Sequence, residues 1–377
     1  MPFLPQAPPA QAAPSVAYEL PFTLEGYLIV VEGKVNGQPA KLILDSGAGA
    51  GLYTPKSAEK LQLQSVGQTL VGGGGEKLVP AKITTARIEL GGAVQEKQLG
   101  VILDLPSGSK AEFDGIVGYP FLKNYVVQID YAAKRVRFIE PARFSPDPKA
   151  DMLPMNLRMN IPEIPGTIDG LAGSLRLDTG FSGTLTFTSP TVQKNELTKK
   201  YPKRIETVLG QGLGGVTTGE VTRVKTLELG KTKVQGVVTG LSADKSGALA
   251  DTGTIALLGG EVLSRFTLTL DYPGKRVFLT PNADLGKPFV FSRAGLAGIF
   301  EGDGFKVLTV VPGGPAEAVG IAKGAVLLAM NGEPTKGMGL SRSRELFRQE
   351  PGTALKVRVR SAEGTEREVV LVLKDVL

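Results

Sequence analysis

The sequence predicts a mainly β protein built from two homologous β-rich lobes and a smaller C-terminal unit, and three observations carry that expectation. Two acidic turns, Asp45-Ser46-Gly47 and Asp178-Thr179-Gly180, each follow an apolar strand-like run, Leu42-Ile43-Leu44 and Leu175-Arg176-Leu177. The sequence around the first turn recurs, in the same order, around the second, the mark of an internal duplication. The 377 residues include 49 Gly and 26 Pro among frequent Val/Thr/Leu alternations, which suits strands joined by tight turns. A chain of this length can bury two or three sizeable cores.

The repeat runs element by element. After Asp45 come Gly72-Gly73-Gly74-Gly75, then Arg87-Ile88-Glu89-Leu90-Gly91, Gly115-Ile116-Val117-Gly118, Val127-Gln128-Ile129-Asp130-Tyr131 and Lys134-Arg135-Val136-Arg137-Phe138. After Asp178 come Gly210 to Gly215, Thr226-Leu227-Glu228-Leu229-Gly230, Leu257-Leu258-Gly259, Leu268-Thr269-Leu270-Asp271-Tyr272 and Lys275-Arg276-Val277-Phe278. A lone Asp-Ser/Thr-Gly proves little, since Asp begins turns and Gly supplies positive φ. Asp251-Thr252-Gly253 is a decoy of that kind: it follows the Gly/Ala-rich stretch Ser242 to Ala250 and reads as a surface loop. Helical runs are few: Lys56 to Leu61, Pro315 to Val319 and Ser341 to Gln349.

Gly210-Gln211-Gly212-Leu213-Gly214-Gly215 fits a dinucleotide-binding glycine pattern, which needs a helix after it to receive a phosphate. The residues that follow, Val216 to Val224, are β-branched and alternate like a strand, so a hairpin tip is the better reading.

The two acidic turns, each with a later apolar-apolar-Gly segment (Ile116-Val117-Gly118 and Leu257-Leu258-Gly259), resemble the aspartic peptidases over roughly residues 25 to 280. Ala48 after the first turn looks retropepsin-like, whereas the duplication in one chain looks pepsin-like. The resemblance implies that Asp45 and Asp178 form the catalytic dyad, with Ser46 and Thr179 hydrogen-bonding across the lobes and Gly47 and Gly180 letting backbone N–H groups approach the carboxylates. Two adjacent carboxylates share one proton; one then serves as base toward a water and the other as acid toward the peptide carbonyl. The clusters containing Gly72, Gly73, Gly74 and Gly75, and Gly212 and Gly214, fall where flaps are expected, although neither holds the Tyr usual in pepsin-like flaps. An ordinary mobile loop is the alternative there. Gly49 lacks the hydroxyl that Ser182 supplies at the same distance from the second turn, so the two carboxylates are expected to be inequivalent.

Past residue 285 the lobe pattern stops. Gly295-Leu296-Ala297-Gly298-Ile299-Phe300, Lys306 to Ala316, Gly320-Ile321 with Lys323-Gly324, and Ala329-Met330-Asn331-Gly332 resemble a bacterial PDZ domain, with Ala325 where an Asp often follows the glycine. The resemblance implies that Leu296, Ala297, Gly298 and Ile299 form a loop receiving a peptide carboxylate, that the next strand pairs with the peptide, and that Ser341 to Gln349 forms the groove helix. Packing against the lobes without a ligand is the alternative. The expected division is a flexible tail over 1–24, lobes over 25–145 and 146–284, and a PDZ domain over 285–377.

With no His and no Cys, Ser-His-Asp and Cys-His nucleophiles and His- or Cys-ligated zinc sites are excluded. Carboxylate chemistry, with no metal or cofactor, is the main route to hydrolysis that remains. A net charge of +6 from 43 basic and 37 acidic residues is a mild excess, and only Lys199 to Arg204 hints at the basic clustering of a nucleic-acid binder; a solvated loop is the preferred reading. Met1 to Ser15 is rich in Pro and Ala and lacks the features of a signal peptide, and no segment reaches transmembrane length. Export to the periplasm or beyond is implied by the domain pairing alone, with a cytoplasmic setting as the alternative. Both turns in one chain remove the need for a dimer to assemble the site. The expected function is an aspartic endopeptidase acting on peptide or protein substrates, its PDZ domain binding peptide or regulating access. A catalytically inactive peptide-binding scaffold is the alternative.

Overall fold

The computed structural model describes residues 17–104 and 113–377. Each lobe is organised around one local unit. In the first, strand Gln38–Leu44 runs into Asp45 and lies parallel to Gly115–Val117, with Leu42 opposite Gly115 and Leu44 opposite Val117. In the second, Leu171–Asp178 lies parallel to Ala256–Gly259, with Leu177 opposite Leu258. Parallel partners need a long crossover. In both lobes that crossover contains a hairpin with a glycine-rich tip: Ser65–Val71 with Val79–Leu90, and Ile205–Gly212 with Gly215–Leu229. Leu42, Ile43 and Leu44, like Leu175, Arg176 and Leu177, are all buried. These strands are covered on both faces, and so they read as continuous runs rather than alternations.

The lobes are joined by a shared sheet. Val126–Asp130 of the first pairs antiparallel with Phe266–Asp271 of the second, setting Ile129 opposite Leu268. Arg135–Ile139 alternates in the way a one-sided strand should, with Val136 and Phe138 buried and Arg135 and Arg137 exposed. One hydrophobic core runs through both lobes, including Ile129 and Phe138 from one and Phe266, Leu268 and Leu270 from the other. Each such buried side chain contributes roughly 1.5–3 kcal/mol, so the lobes meet through a common core rather than a loose linker.

The C-terminal unit has its own core, centred on Leu296, Val307, Leu327, Leu346, Leu355 and Leu371. Its six-stranded sheet has Leu296–Glu301 at one edge, paired only with Gly304–Val310, and the helix Leu340–Phe347 buries Leu346 and Phe347 against it. The other expected helices form as Pro55–Lys60 and Pro315–Ala318. Among the described residues, no helix is long and apolar enough to cross a membrane.

Several local expectations need correction. Residues 17–24, expected as tail, belong to strand Ala17–Glu25, which pairs with Arg135–Ile139 and Leu28–Val35 because Leu20 and Phe22 point into the core; residues 1–16 lie outside the described residues. Leu296, Ala297, Gly298 and Ile299 form no loop: they start an edge strand, since a turn at Gly302 (φ +62°) brings Gly304–Val310 back as a hairpin partner. Asp251-Thr252-Gly253 does lie in a surface loop, with Thr252 and Gly253 exposed, but the Asp251 carboxylate accepts from both Arg158 and Arg176. The stretch Lys199 to Arg204 is exposed as expected except for Tyr201, but it is not all loop: Lys199 and Lys200 end the helix Leu197–Lys200, Lys200 donates to the Asp169 carbonyl at 2.9 Å and Arg204 pairs with Glu220 at 2.7 Å.

Candidate active site

The two acidic turns meet at the junction of the lobes and are locked by reciprocal hydrogen bonds. The Ser46 N–H donates to Thr179 Oγ1 at 2.9 Å, and the Thr179 N–H donates to Ser46 Oγ at 3.1 Å. Each hydroxyl in turn donates across the interface, Ser46 Oγ to the Leu177 carbonyl at 3.1 Å and Thr179 Oγ1 to the Leu44 carbonyl at 2.9 Å. Ser46 and Thr179 are each 1 % exposed, so an unmade bond here would strand a buried polar group at about 1–3 kcal/mol. The Ser/Thr position of each motif is thus fixed by the other lobe.

The glycines of the motifs are set by close approach. A Cβ on Gly47 would overlap the Asp178 carboxyl, and one on Gly180 would overlap that of Asp45. Each glycine N–H also donates to the carboxylate of its own turn, Gly47 to Asp45 Oδ1 at 2.7 Å and Gly180 to Asp178 Oδ1 at 2.9 Å. The two carboxyls hydrogen-bond to one another. Burial, and then the charge of Asp178, pushes the Asp45 carboxyl well above the ordinary range. Burial also raises Asp178, but the hydrogen bond from Asp45, the N–H groups of Gly180 and Phe181, and the charge of Arg176 all favour its ionised form. The pair is therefore inequivalent, with Asp45 the more strongly raised of two carboxyls that share a proton.

The glycine-rich hairpin tips of the two lobes meet each other. Gly75 bridges to Gly214, the Gly214 N–H donates to the Gly74 carbonyl at 2.7 Å, and the Lys77 N–H donates to the Gly214 carbonyl at 3.2 Å. Gly73 lies against the Leu213 side chain, and Gly74 lies beside Gly212. Gly75 has φ +86°, and side chains at Gly212 or Gly214 would strike the opposing backbone, which explains why these tips are glycine. Leu213 crosses over to pack on the small cluster Leu52, Ala81, Val101 and Leu103 of the first lobe. Gly72 lies just outside the bridge, near Leu78.

Leu213 is one of several residues near the site that the motifs did not flag; its only signal is being the lone apolar residue in a glycine run. Another is Arg344 on the C-terminal unit's helix, which donates through Nη1 to the Ser182 carbonyl at 2.7 Å and through Nη2 to Ser182 Oγ at 3.0 Å. One helical turn on, Arg348 makes a two-pronged pair with Glu261 at 2.9 and 3.1 Å. An Arg-x-x-x-Arg spacing places two guanidinium groups on one helix face, but nothing in the sequence names their partners. Leu296, Ala297, Gly298 and Ile299 lie apart from the acidic pair, on the edge strand whose hairpin rests against Ile205–Gly212. Among the described residues no group of three or more acidic side chains gathers to hold a metal ion.

Residues 31–121 match the family model described as "Aspartyl protease", a span that reaches from the strand before Asp45 to just past Ile116-Val117-Gly118. Residues 306–361 match the "PDZ domain" model, which includes the helix bearing Arg344. No curated protein matches the chain at a significant level. The second lobe lies outside both matches, yet it repeats the acid strand, the crossing strand and the glycine-tipped hairpin of the first. The chain thus carries an aspartyl protease domain, in a fold of two like lobes, and a C-terminal PDZ domain.

Proposed function

We propose that this chain is an aspartic endopeptidase whose dyad is Asp45 and Asp178. The observation that carries the reading is the reciprocal lock between Ser46 and Thr179, which brings two carboxyls together at the junction of the lobes. Asp178, as the anion, takes a proton from a water held between the carboxyls, and the water oxygen attacks the peptide carbonyl carbon. Protonated Asp45 donates to the carbonyl oxygen as the tetrahedral intermediate forms. Return of the proton from Asp178 to the amide nitrogen lets the C–N bond break, while Asp45 recovers its proton from the intermediate's hydroxyl. The hairpin tips act as flaps: Gly73, Gly74 and Gly214 offer backbone groups to an extended substrate once their mutual bonds open, and no Tyr is needed for that contact.

The PDZ domain takes a peptide by strand addition along Leu296–Glu301, with Leu296, Ala297, Gly298 and Ile299 supplying backbone groups. The test is cleavage of a mixed peptide library over about pH 3 to 8, a window that brackets a coupled carboxyl pair, by the wild type and by Asp45→Asn and Asp178→Asn. Activity in the wild type and its loss in both variants is the expected result. Peptide binding by a folded wild type that cuts nothing would favour a scaffold, and cleavage surviving both substitutions would put the chemistry elsewhere.

A further inference from the structure

We propose that Arg344, on the PDZ helix Leu340–Phe347, is a positioning residue for the second carboxylate: by gripping Ser182 it keeps the loop after Asp178 aimed at that side chain. The inference rests on reading Asp178 as a working member of the dyad. Ser182 stands four residues after Asp178, and between them the N–H groups of Gly180 and Phe181 favour the Asp178 anion. Arg344 meets Ser182 with two donors on two acceptors, at 2.7 and 3.0 Å. The planar guanidinium fixes direction as well as distance in such a contact, which a lysine cannot do.

The loop is held from its other side too. The Gly260 N–H donates to the Phe181 carbonyl at 2.8 Å, and the Glu261 N–H donates to the Gly183 carbonyl at 3.0 Å. Glu261, 5 % exposed at its side chain, is itself paired with Arg348 of the same PDZ helix. At the helix start the Gly26 N–H donates to Ser341 Oγ at 2.6 Å, and the Ser341 N–H donates to Glu25 Oε1 at 3.2 Å. The helix therefore bears on both lobes, and Arg344 is its contact with the acid loop. The charged and titratable groups around Arg344 are Glu261, Glu25, Tyr27 and Arg348, and those acting on Asp178 are Asp45 and Arg176. None of them donates to Ser182 in place of Arg344.

The test is a titration of the dyad by carboxyl carbon-13 NMR on the full chain, with kcat and KM followed over pH, for Arg344→Gln, Arg344→Lys and Ser341→Ala. Loss of the fork loosens the Gly180 and Phe181 donors, which favours the protonated acid. Arg344→Gln should therefore move the lower dyad titration, and the acidic limb of the kcat profile, to higher pH. It should also lower kcat by about tenfold, the scale of one weakened hydrogen bond to a charged group, with little change in KM. Arg344→Lys should fall between it and the wild type, while Ser341→Ala, which loosens docking only, should titrate like the wild type.

Wild-type titration in a folded Arg344→Gln, or an equal shift in all three variants, would overturn the proposal. Should Arg344→Gln fail to fold, Ser182→Ala removes the hydroxyl half of the grip and should give a smaller upward shift; no shift there would overturn it as well. If the wild type hydrolyses no peptide but its carboxyl titration moves only with Arg344, the peptidase reading falls and the positioning role stands.

Discussion

In the first lobe the chain leaves the acid turn through Gly49, beside an open cavity of about 350 Å³ lined by Tyr119, Pro120, Lys123 and Asn160. In the second lobe the same stretch leaves through Ser182, under the Arg344 fork, with Glu261 standing at the repeat position of Pro120 and bound by Arg348. The strands leading in differ as well. Two residues before Asp45 stands Ile43, and two before Asp178 stands Arg176, buried among Glu163 and Asp251. Duplication thus reproduces the backbone of the site but leaves the two carboxyls in different surroundings. Burial and the neighbouring carboxylate raise Asp45 strongly; on Asp178 backbone donors and the charge of Arg176 oppose the same burial.

The strongest way to break this comparison is to remove either acid. Asp45→Asn and Asp178→Asn should each lower kcat/KM by roughly 10²–10⁴-fold or more, the usual range for lost acid–base catalysis, read by peptide hydrolysis. Next come Gly47→Ala and Gly180→Ala, whose methyl groups would each displace the opposite lobe's carboxyl. A shift of about 1 Å at a reacting group costs on the order of 10²-fold, so both should lose kcat while remaining folded by circular dichroism.

The reciprocal lock is the part of the site that is symmetric, and stability measurements sharpen that point. Ser46→Ala and Thr179→Val each remove one acceptor and one donor from buried backbone partners. Each should cost about 1–3 kcal/mol for every partner left unsatisfied, and the two losses should be alike in urea unfolding. Unequal losses would show that the lock itself differs between the lobes.

The smallest effect is one of pH. The folded pKa of Asp45 lies above its unfolded value, so between those values the folded state binds more protons and stability falls as pH rises. Asn cannot ionise and escapes that loss. Asp45→Asn should therefore melt above the wild type at neutral pH, with the gap closing as pH falls to the ordinary carboxyl range; an unchanged or lower Tm at neutral pH would contradict a buried, charge-crowded Asp45.

Much of this was legible in the chain because the determinants are local and repeated. The runs Leu42 to Leu44 and Leu175 to Leu177, each ending in Asp-Ser/Thr-Gly, mark buried parallel strands that finish at a turn too crowded for a Cβ. The β-branched run after Gly215 marked a hairpin rather than a phosphate loop, and Gly215–Leu229 is that strand. What misled was composition near an end and a motif matched by position. Leu20 and Phe22 show an inward alternation that the preceding Pro and Ala obscured, and the PDZ glycines pointed to a loop where a hairpin register places a strand.

Residue order alone carried the fold class, the duplication and the two acidic turns, and the absence of His and Cys excluded nucleophiles and zinc sites built on them. Those are properties of residue identity and short-range periodicity. Packing alone makes Asp45 the more strongly raised carboxyl, joins the two glycine tips through Gly75 and Gly214, and carries Arg344 to Ser182 across 162 positions of chain. Burial, hydrogen-bond donors and charge around a carboxyl are supplied by segments far apart in sequence, and their convergence is a consequence of packing that no local pattern encodes.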